Sequence, residues 1–356
     1  MLEGHGDDGW KYGAPIKANF SSNVWYGGLD EGLREHLCSR MGLVTHYPEV
    51  DGRTVRGLAA ASFGVLPEQV LVTNGATEAI YLVAQLFAGG SATILAPAFA
   101  EYEDACRMHG MQVRIQAWPG VADGGIGDSQ GGGLADPQAD GFGTDLVFLC
   151  NPNNPTGQAL QLGNLLELIC GNPGVLFVVD ESYIEFTRET DSLLAALPQN
   201  VLVLRSLTKS CRIPGLRVGF IVGPVERMRQ LQRLKMPWSV NQVALEAAEY
   251  IFHHADRFVL PLERLLGETA DWRGKLRAAT GWGMYDSSTH YFLMETPVAF
   301  TAAQLKQGLV EKWGLLIRDA SNFRGLGPHH FRVACQAPGD NQLLTEALLQ
   351  CSQSGL

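Results

Sequence analysis

The chain has 356 residues, 46% apolar and 18% charged, with 27 basic against 37 acidic side chains and a net charge of −10. That composition is too apolar for a disordered chain, and the length suggests one large domain with a smaller one beside it. An acidic chain without a lysine or arginine run is unsuited to the nucleic-acid backbone, and no apolar stretch approaches the ~18 residues needed to cross a bilayer.

Residues 1–8 have neither a basic nor an apolar leader region, so no signal peptide is expected. Gln69 to Thr73 reads as a strand, followed at Asn74-Gly75 by a turn that opens a helix over 76–87. A second strand, 92–95, ends at Pro97, and a second helix covers 102–109. Residues 120–143 are rich in Gly, Asp, Gln and Ser and read as a surface insertion. Strands follow at 146–150, 175–179 and 200–204, the first broken by Asn151-Pro152-Asn153-Asn154-Pro155. Short runs that are apolar on both faces, alternating with amphipathic ones, predict an α/β protein whose helices cover both sides of a mostly parallel sheet. Beyond about residue 231 the pattern turns to helices over roughly 240–279 and short strands near 291–295, 315–317 and 331–334. The expected division is an arm at 1–30, a large domain at 31–235 and a small domain at 236–356. Seven scattered cysteines with no CxxC pair fit neither a zinc site nor a disulfide framework, and read as reduced cytoplasmic thiols.

Open α/β sheets bind ligands beyond the carboxyl ends of their strands, and several loops of this kind carry chemistry here. Thr73-Asn74-Gly75-Ala76-Thr77-Glu78 presents a helix N-terminus, whose unpaired N–H groups suit a phosphate. Asn151 to Gly157 is stiffened by two prolines, which can hold Asn154 rigidly at the sheet edge. Val179-Asp180-Glu181-Ser182-Tyr183 delivers a carboxylate from a buried strand. It also resembles a Walker-B strand, but no P-loop accompanies it: Arg273-Gly274-Lys275-Leu276 lacks the first glycine and the hydroxyl. The segment Ser206-Leu207-Thr208-Lys209, with Pro214-Gly215-Leu216-Arg217-Val218-Gly219 after it, sets a lysine between hydroxyls and ahead of an arginine.

The succession N-G-A-T-E, N-P-N-N-P-T-G, D-E-S-Y and S-L-T-K-x-x-x-x-P-G-L-R-x-G resembles the class I/II aminotransferases of pyridoxal-phosphate (PLP) fold type I. The resemblance runs from about Ala18 to Ala334 and is nearest to threonine-phosphate decarboxylases and histidinol-phosphate aminotransferases. It implies a large domain around a mixed, mostly parallel seven-stranded sheet, plus a small α/β domain. It also implies roles. Lys209 carries PLP as a Schiff base and shuttles protons. Asp180 pairs with the ring nitrogen, Asn154 and Tyr183 bond the ring hydroxyl, and Tyr102 stacks on the ring face. Ala76, Thr77, Ser206, Thr208 and Arg217 hold the cofactor phosphate, with Tyr47 lent across the interface of a homodimer that shares its active sites. Arg332 takes the substrate α-carboxylate, and Arg318 a distal phosphate. The string from Arg318 to Leu326, together with His5-Gly6 and Asn23, is decarboxylase-like. Asp7, Asp8 and Val24-Trp25 depart from that pattern, in the arm expected to cover the substrate. The implied reaction is decarboxylation of O-phospho-L-threonine to (R)-1-aminopropan-2-yl phosphate, a step supplying cobalamin. An aminotransferase and a non-catalytic protein of the same fold are the alternatives, and no metal is implied.

Overall fold

The computed structural model describes residues 6–13, 15–119 and 142–354, so most of the Gly-rich insertion lies outside the described residues. Its strands in chain order are β1 (Ala18–Asn19), β2 (Val70–Thr73), β3 (Ser91–Ala96), β4 (Gln112–Ala117), β5 (Leu146–Cys150), β6 (Leu176–Asp180), β7 (Val201–Ser206), β8 (Gly219–Val222), β9 (Tyr291–Glu295), β10 (Leu315–Leu316), β11 (Arg318–Asp319) and β12 (His330–Ala334). Seven of them form one sheet in the order β2-β8-β7-β6-β5-β3-β4. Only β8 runs against its neighbours there, which makes the sheet mixed and mostly parallel, as the resemblance implied.

Alternation along the strands builds two cores, one on each face. Val147, Leu149, Phe177, Val179, Val201 and Val203 point to one side, where helix Gln242–His253 also packs through Ala244, Ala247, Ala248 and Ile251. Leu146, Phe148, Leu176, Val178, Leu202 and Leu204 point to the other, against helices Gly75–Leu86 and Glu101–Met108. Burial on both faces is the reason these strands read as continuous apolar runs.

Two strands of the seven-stranded sheet escaped the sequence pattern. β4 is an edge strand whose first four residues are exposed or half-buried, so Gln112 and Arg114 interrupt the apolar signal. β8 is only four residues long and closely follows the Pro214–Leu216 turn.

A separate antiparallel sheet, β11-β12-β9, sits with helices Leu262–Thr280, Ala302–Trp313 and Pro338–Ser354 around a third core. The N-terminal segment joins this core: Ala18 and Phe20 are buried in it, and β1 pairs in parallel with β10. Asp8 is buried there too, both its carboxylate oxygens 2.7 Å from Lys306 Nζ. These contacts carry residues 6–8 and 21–24 over the edge of the seven-stranded sheet.

Candidate active site

A cavity of about 280 Å³ opens beyond the carboxyl ends of β2, β3, β5, β6 and β7, closed on its far side by the N-terminal segment, β11 and β12. Such an edge is where an open α/β sheet collects loops from several strands.

Its floor comes from β6 and β7. Asp180 ends β6 and is buried, with Oδ1 accepting from Ser182 N at 2.9 Å and Oδ2 from the Tyr102 hydroxyl at 2.8 Å. Ser206, which ends β7, and Thr208 just beyond it share a hydroxyl–hydroxyl bond of 2.7 Å, and Lys209 Nζ donates to Thr208 Oγ1 at 2.7 Å. Burial pushes the Lys209 amine down to about 8. The neighbouring Arg217 adds to the shift, and Asp180 opposes it. The amine is thus deprotonated far more readily than an ordinary lysine, which suits a nucleophile.

One end of the cavity is the N-terminus of helix Gly75–Leu86, with Ala76 and Thr77 in its wall. Gly75 has φ +72°, and a Cβ there would lie 2.6 Å from Arg217 Nη2. Only glycine lets the guanidinium come this close to the first free N–H groups of the helix. Arg217 itself has φ +61° and is steadied by a bond from Nη1 to Pro214 O of 3.1 Å. Helix end, two hydroxyls and guanidinium together form a cup for a dianion.

The β5 loop is locked from several sides. Asn151 is bonded twice to the Leu160 backbone, Asn153 Nδ2 donates to Pro97 O at 3.0 Å, and Tyr291 donates to Asn153 O at 3.0 Å. Asn154 is thereby held in the wall, where its Oδ1 accepts from Arg332 Nη1. Tyr183 is buried beside it, edge-on to Tyr291 with ring centroids 5.0 Å apart, and burial raises its phenol well above the ordinary value. It therefore stays a donor.

The opposite wall holds two arginines that register brings together. Arg318 of β11 pairs directly with Arg332 of β12. Like charges opposite one another destabilise a sheet unless an anion offsets them. Arg332 is buried, its Nη2 donates to Ser21 O at 2.6 Å, and its Nε has no partner among the described residues. Arg318 is also buried, bonded through Nη1 to Asp319 O (2.6 Å) and Nη2 to Asn322 Oδ1 (2.8 Å), and stacked 4.9 Å over Phe323. Burial, then Arg332, lowers it to about 10. The nearby Arg324 instead forms a pair with Glu103. Asn23 is buried in the same wall, its carbonyl accepting from His290 Nε2 at 3.2 Å.

Of the residues singled out by sequence, Ala76, Thr77, Tyr102, Asn154, Asp180, Tyr183, Ser206, Thr208, Lys209, Arg217, Arg318, Arg332 and Asn23 all line this one cavity. His5 lies outside the described residues. Tyr47 does not reach the cavity: it is 84% exposed and packs on Trp238 at 5.3 Å. Tyr102 is placed otherwise than expected. Its ring is fully buried and stacked on Phe148 at 5.1 Å, and its hydroxyl is given to Asp180, so it backs the carboxylate. Phe99, three residues earlier and just before the helix starts, is the half-buried aromatic in the wall. Sequence reasoning also passed over Ser21, Ser182 and Phe323. The first two act through backbone atoms that leave no side-chain signal, and the third lay within the Arg318 string.

Four cations, one buried carboxylate and an orphaned Arg332 N–H describe a site for a ligand with several anionic groups and one basic nitrogen. Pyridoxal phosphate with an anionic substrate fits that donor set. Among the described residues no cluster of His, Cys, Asp or Glu is arranged to hold a metal ion, and no helix is long and apolar enough to cross a membrane.

Comparison with known proteins agrees with this chemistry. The family model described as aminotransferase class I and II matches residues 15–349. The crystal structure of L-threonine-O-3-phosphate decarboxylase from Porphyromonas gingivalis is 38% identical, with a TM-score of 0.84 over 93% of this chain and 98% of that one. The threonine-phosphate decarboxylase of Salmonella typhimurium is 30% identical over 93% of this chain and 90% of its own length. Histidinol-phosphate aminotransferase 2 of Pasteurella multocida is 28% identical over 90% and 86%.

Proposed function

This chain belongs to the class I and II aminotransferases and is a pyridoxal-phosphate enzyme, and we propose that it decarboxylates O-phospho-L-threonine to (R)-1-aminopropan-2-yl phosphate. The observation that carries the reading is the register pair Arg318–Arg332, which sets two buried guanidinium groups side by side in the cavity. Two cations in one wall suit a substrate with an anion at each end.

Lys209 would hold the cofactor covalently, Asp180 would pair with its ring nitrogen, and Asn154 and Tyr183 would bond its ring hydroxyl. Ala76, Thr77, Ser206, Thr208 and Arg217 would take its phosphate, and Phe99 would cover the ring. When bound, the cofactor supplies the electron sink for the pair left on Cα once a bond there breaks. Everything else falls to the chain. Arg332, braced by Asn154 and Ser21, takes the α-carboxylate, and Arg318, held flat by Asn322 and Phe323, takes the distal phosphate. Anchoring both ends would fix the rotation about Cα and so select which of its bonds breaks. Residues 6–7 and 21–24 cover the substrate and exclude water, and the Lys209 amine returns a proton to Cα.

Decarboxylation is favoured over transamination because Asn322 and Phe323, which present Arg318, belong to the decarboxylase-like string, and because of the 38% identical decarboxylase structure. The deciding assay supplies phosphothreonine with no keto acid. A decarboxylase releases carbon dioxide over many turnovers. A transaminase stops after one, with its cofactor left in the amino form, and that result would overturn the assignment.

The enzyme is further proposed to be a cytoplasmic homodimer with shared sites. Tyr47 and Trp238 lie exposed against one another, with Trp238 N bonded to the carbonyl of exposed Val50. A partner subunit would cover this apolar group, and Tyr47 would reach the partner's phosphate cup. Light scattering that gives the mass of a monomer would refute it.

A further inference from the structure

We propose that Tyr102 is a positioning residue for Asp180, its hydroxyl fixing the plane of that carboxylate and aiming it at the cofactor ring nitrogen. The inference rests on the reading of Asp180 as the partner of that nitrogen.

The two oxygens of Asp180 have one donor each: Ser182 N on Oδ1 at 2.9 Å and the Tyr102 hydroxyl on Oδ2 at 2.8 Å. Donors on both oxygens fix the plane of the carboxylate. Each oxygen can accept two bonds, so lone pairs remain for a ligand in the cavity. The phenol has little freedom to turn away. Its ring is stacked on Phe148 at 5.1 Å with an interplanar angle of 6°, and Phe99 abuts it edge-on at 6.0 Å. Burial, with Asp180 beside it, holds the phenol far above its ordinary range, so it donates at any working pH.

A buried carboxylate needs donors in place of the water it has lost. Taking away the Tyr102 hydroxyl leaves Oδ2 short of a donor within a wall that excludes water. The carboxylate can then rotate out of line, its bond to the ring nitrogen weakens, and the nitrogen holds its proton less firmly. The aromatic pair Phe99 and Tyr102 thus divides the work: both line the cavity, but Phe99 lies ahead of the helix, and Tyr102, at the second position of the helix, turns its hydroxyl to the carboxylate.

The test uses holoenzyme loaded with cofactor labelled with ¹⁵N at the ring position. In Tyr102→Phe the ¹⁵N resonance should move toward that of an unprotonated ring, and cofactor dissociation should rise about tenfold, the ordinary cost of losing a hydrogen bond to a charged group. Incorporation of 3-fluorotyrosine at position 102 keeps the shape and strengthens the donor, so it should move the resonance the opposite way. This second measurement serves even if the phenylalanine variant does not fold. In an Asp180→Asn background neither change at 102 should have an effect. If Asp180→Asn moves the resonance while both changes at 102 leave it in place, Tyr102 is structural and the inference is overturned, although the reading of Asp180 stands. If Asp180→Asn also leaves it in place, the reading of Asp180 is wrong and the inference falls with it.

Discussion

Replacing Lys209 by methionine should stabilise the cofactor-free protein near neutral pH. The amine is pushed from 10.5 to about 8, chiefly by burial and then by Arg217. A depression of about 2.5 units corresponds to roughly 3.4 kcal/mol of preference for the neutral form, at ~1.36 kcal/mol per unit. The sign follows from proton counts. Between about pH 8 and 10.5 the unfolded chain binds the proton and the folded chain does not, so wild-type stability rises with pH across that window. Below pH 8 the penalty is present in full. Methionine removes it but forfeits the bond from Nζ to Thr208, which is worth about 1 kcal/mol. The variant should therefore gain about 1–3 kcal/mol at pH 7, with the gain gone by about pH 10.5. Urea denaturation of both cofactor-free proteins at pH 7, 8, 9 and 10 measures this directly. A methionine variant less stable at pH 7, or a difference that ignores pH, would refute the reasoning. The same shift has a chemical consequence. About one Lys209 amine in ten is neutral at pH 7, against roughly one in 3,000 for an unperturbed lysine, so the site holds a usable nucleophile without a separate base.

The two arginines proposed to bind the substrate should separate in kinetics. Arg318→Leu should weaken phosphorylated substrates about 10- to 150-fold and leave unphosphorylated analogues nearly unchanged, whereas Arg332→Leu should weaken both. Equal loss in the Arg318 variant would show that the distal phosphate lies elsewhere. Gly75→Ala should raise the cofactor dissociation constant at least tenfold with little change in folding cooperativity, because the added methyl would press on Arg217 Nη2 at a φ of +72°. Equilibrium dialysis against pyridoxal phosphate reads this out, and unchanged affinity would mean that the cup tolerates a side chain.

Much of this protein was legible in the sequence because its chemistry is local. The loops after the buried strands carry the candidate functional residues within a few positions of the strand end, so Asp180 after Val178-Val179 and Lys209 after β7 stand out by neighbours alone. Runs such as Leu146–Cys150 are apolar throughout because both faces of the sheet are covered, and that pattern survives without knowledge of the partners. What the tertiary structure decided are the relations between distant segments. The pairing of Arg318 with Arg332 depends on the register of two short strands, and a slip of one residue would send one guanidinium to the other face. The grip of Ser21 on Arg332 spans 311 positions and uses a carbonyl, which every residue type has. The roles of Phe99 and Tyr102 turn on where a helix begins. With the first turn at Glu101, Tyr102 is directed into the core and toward Asp180, while Phe99, still outside the helix, is left at the cavity. Both aromatics look alike in sequence; the backbone direction at their positions separates them, and that direction is set by packing against β5 and β6.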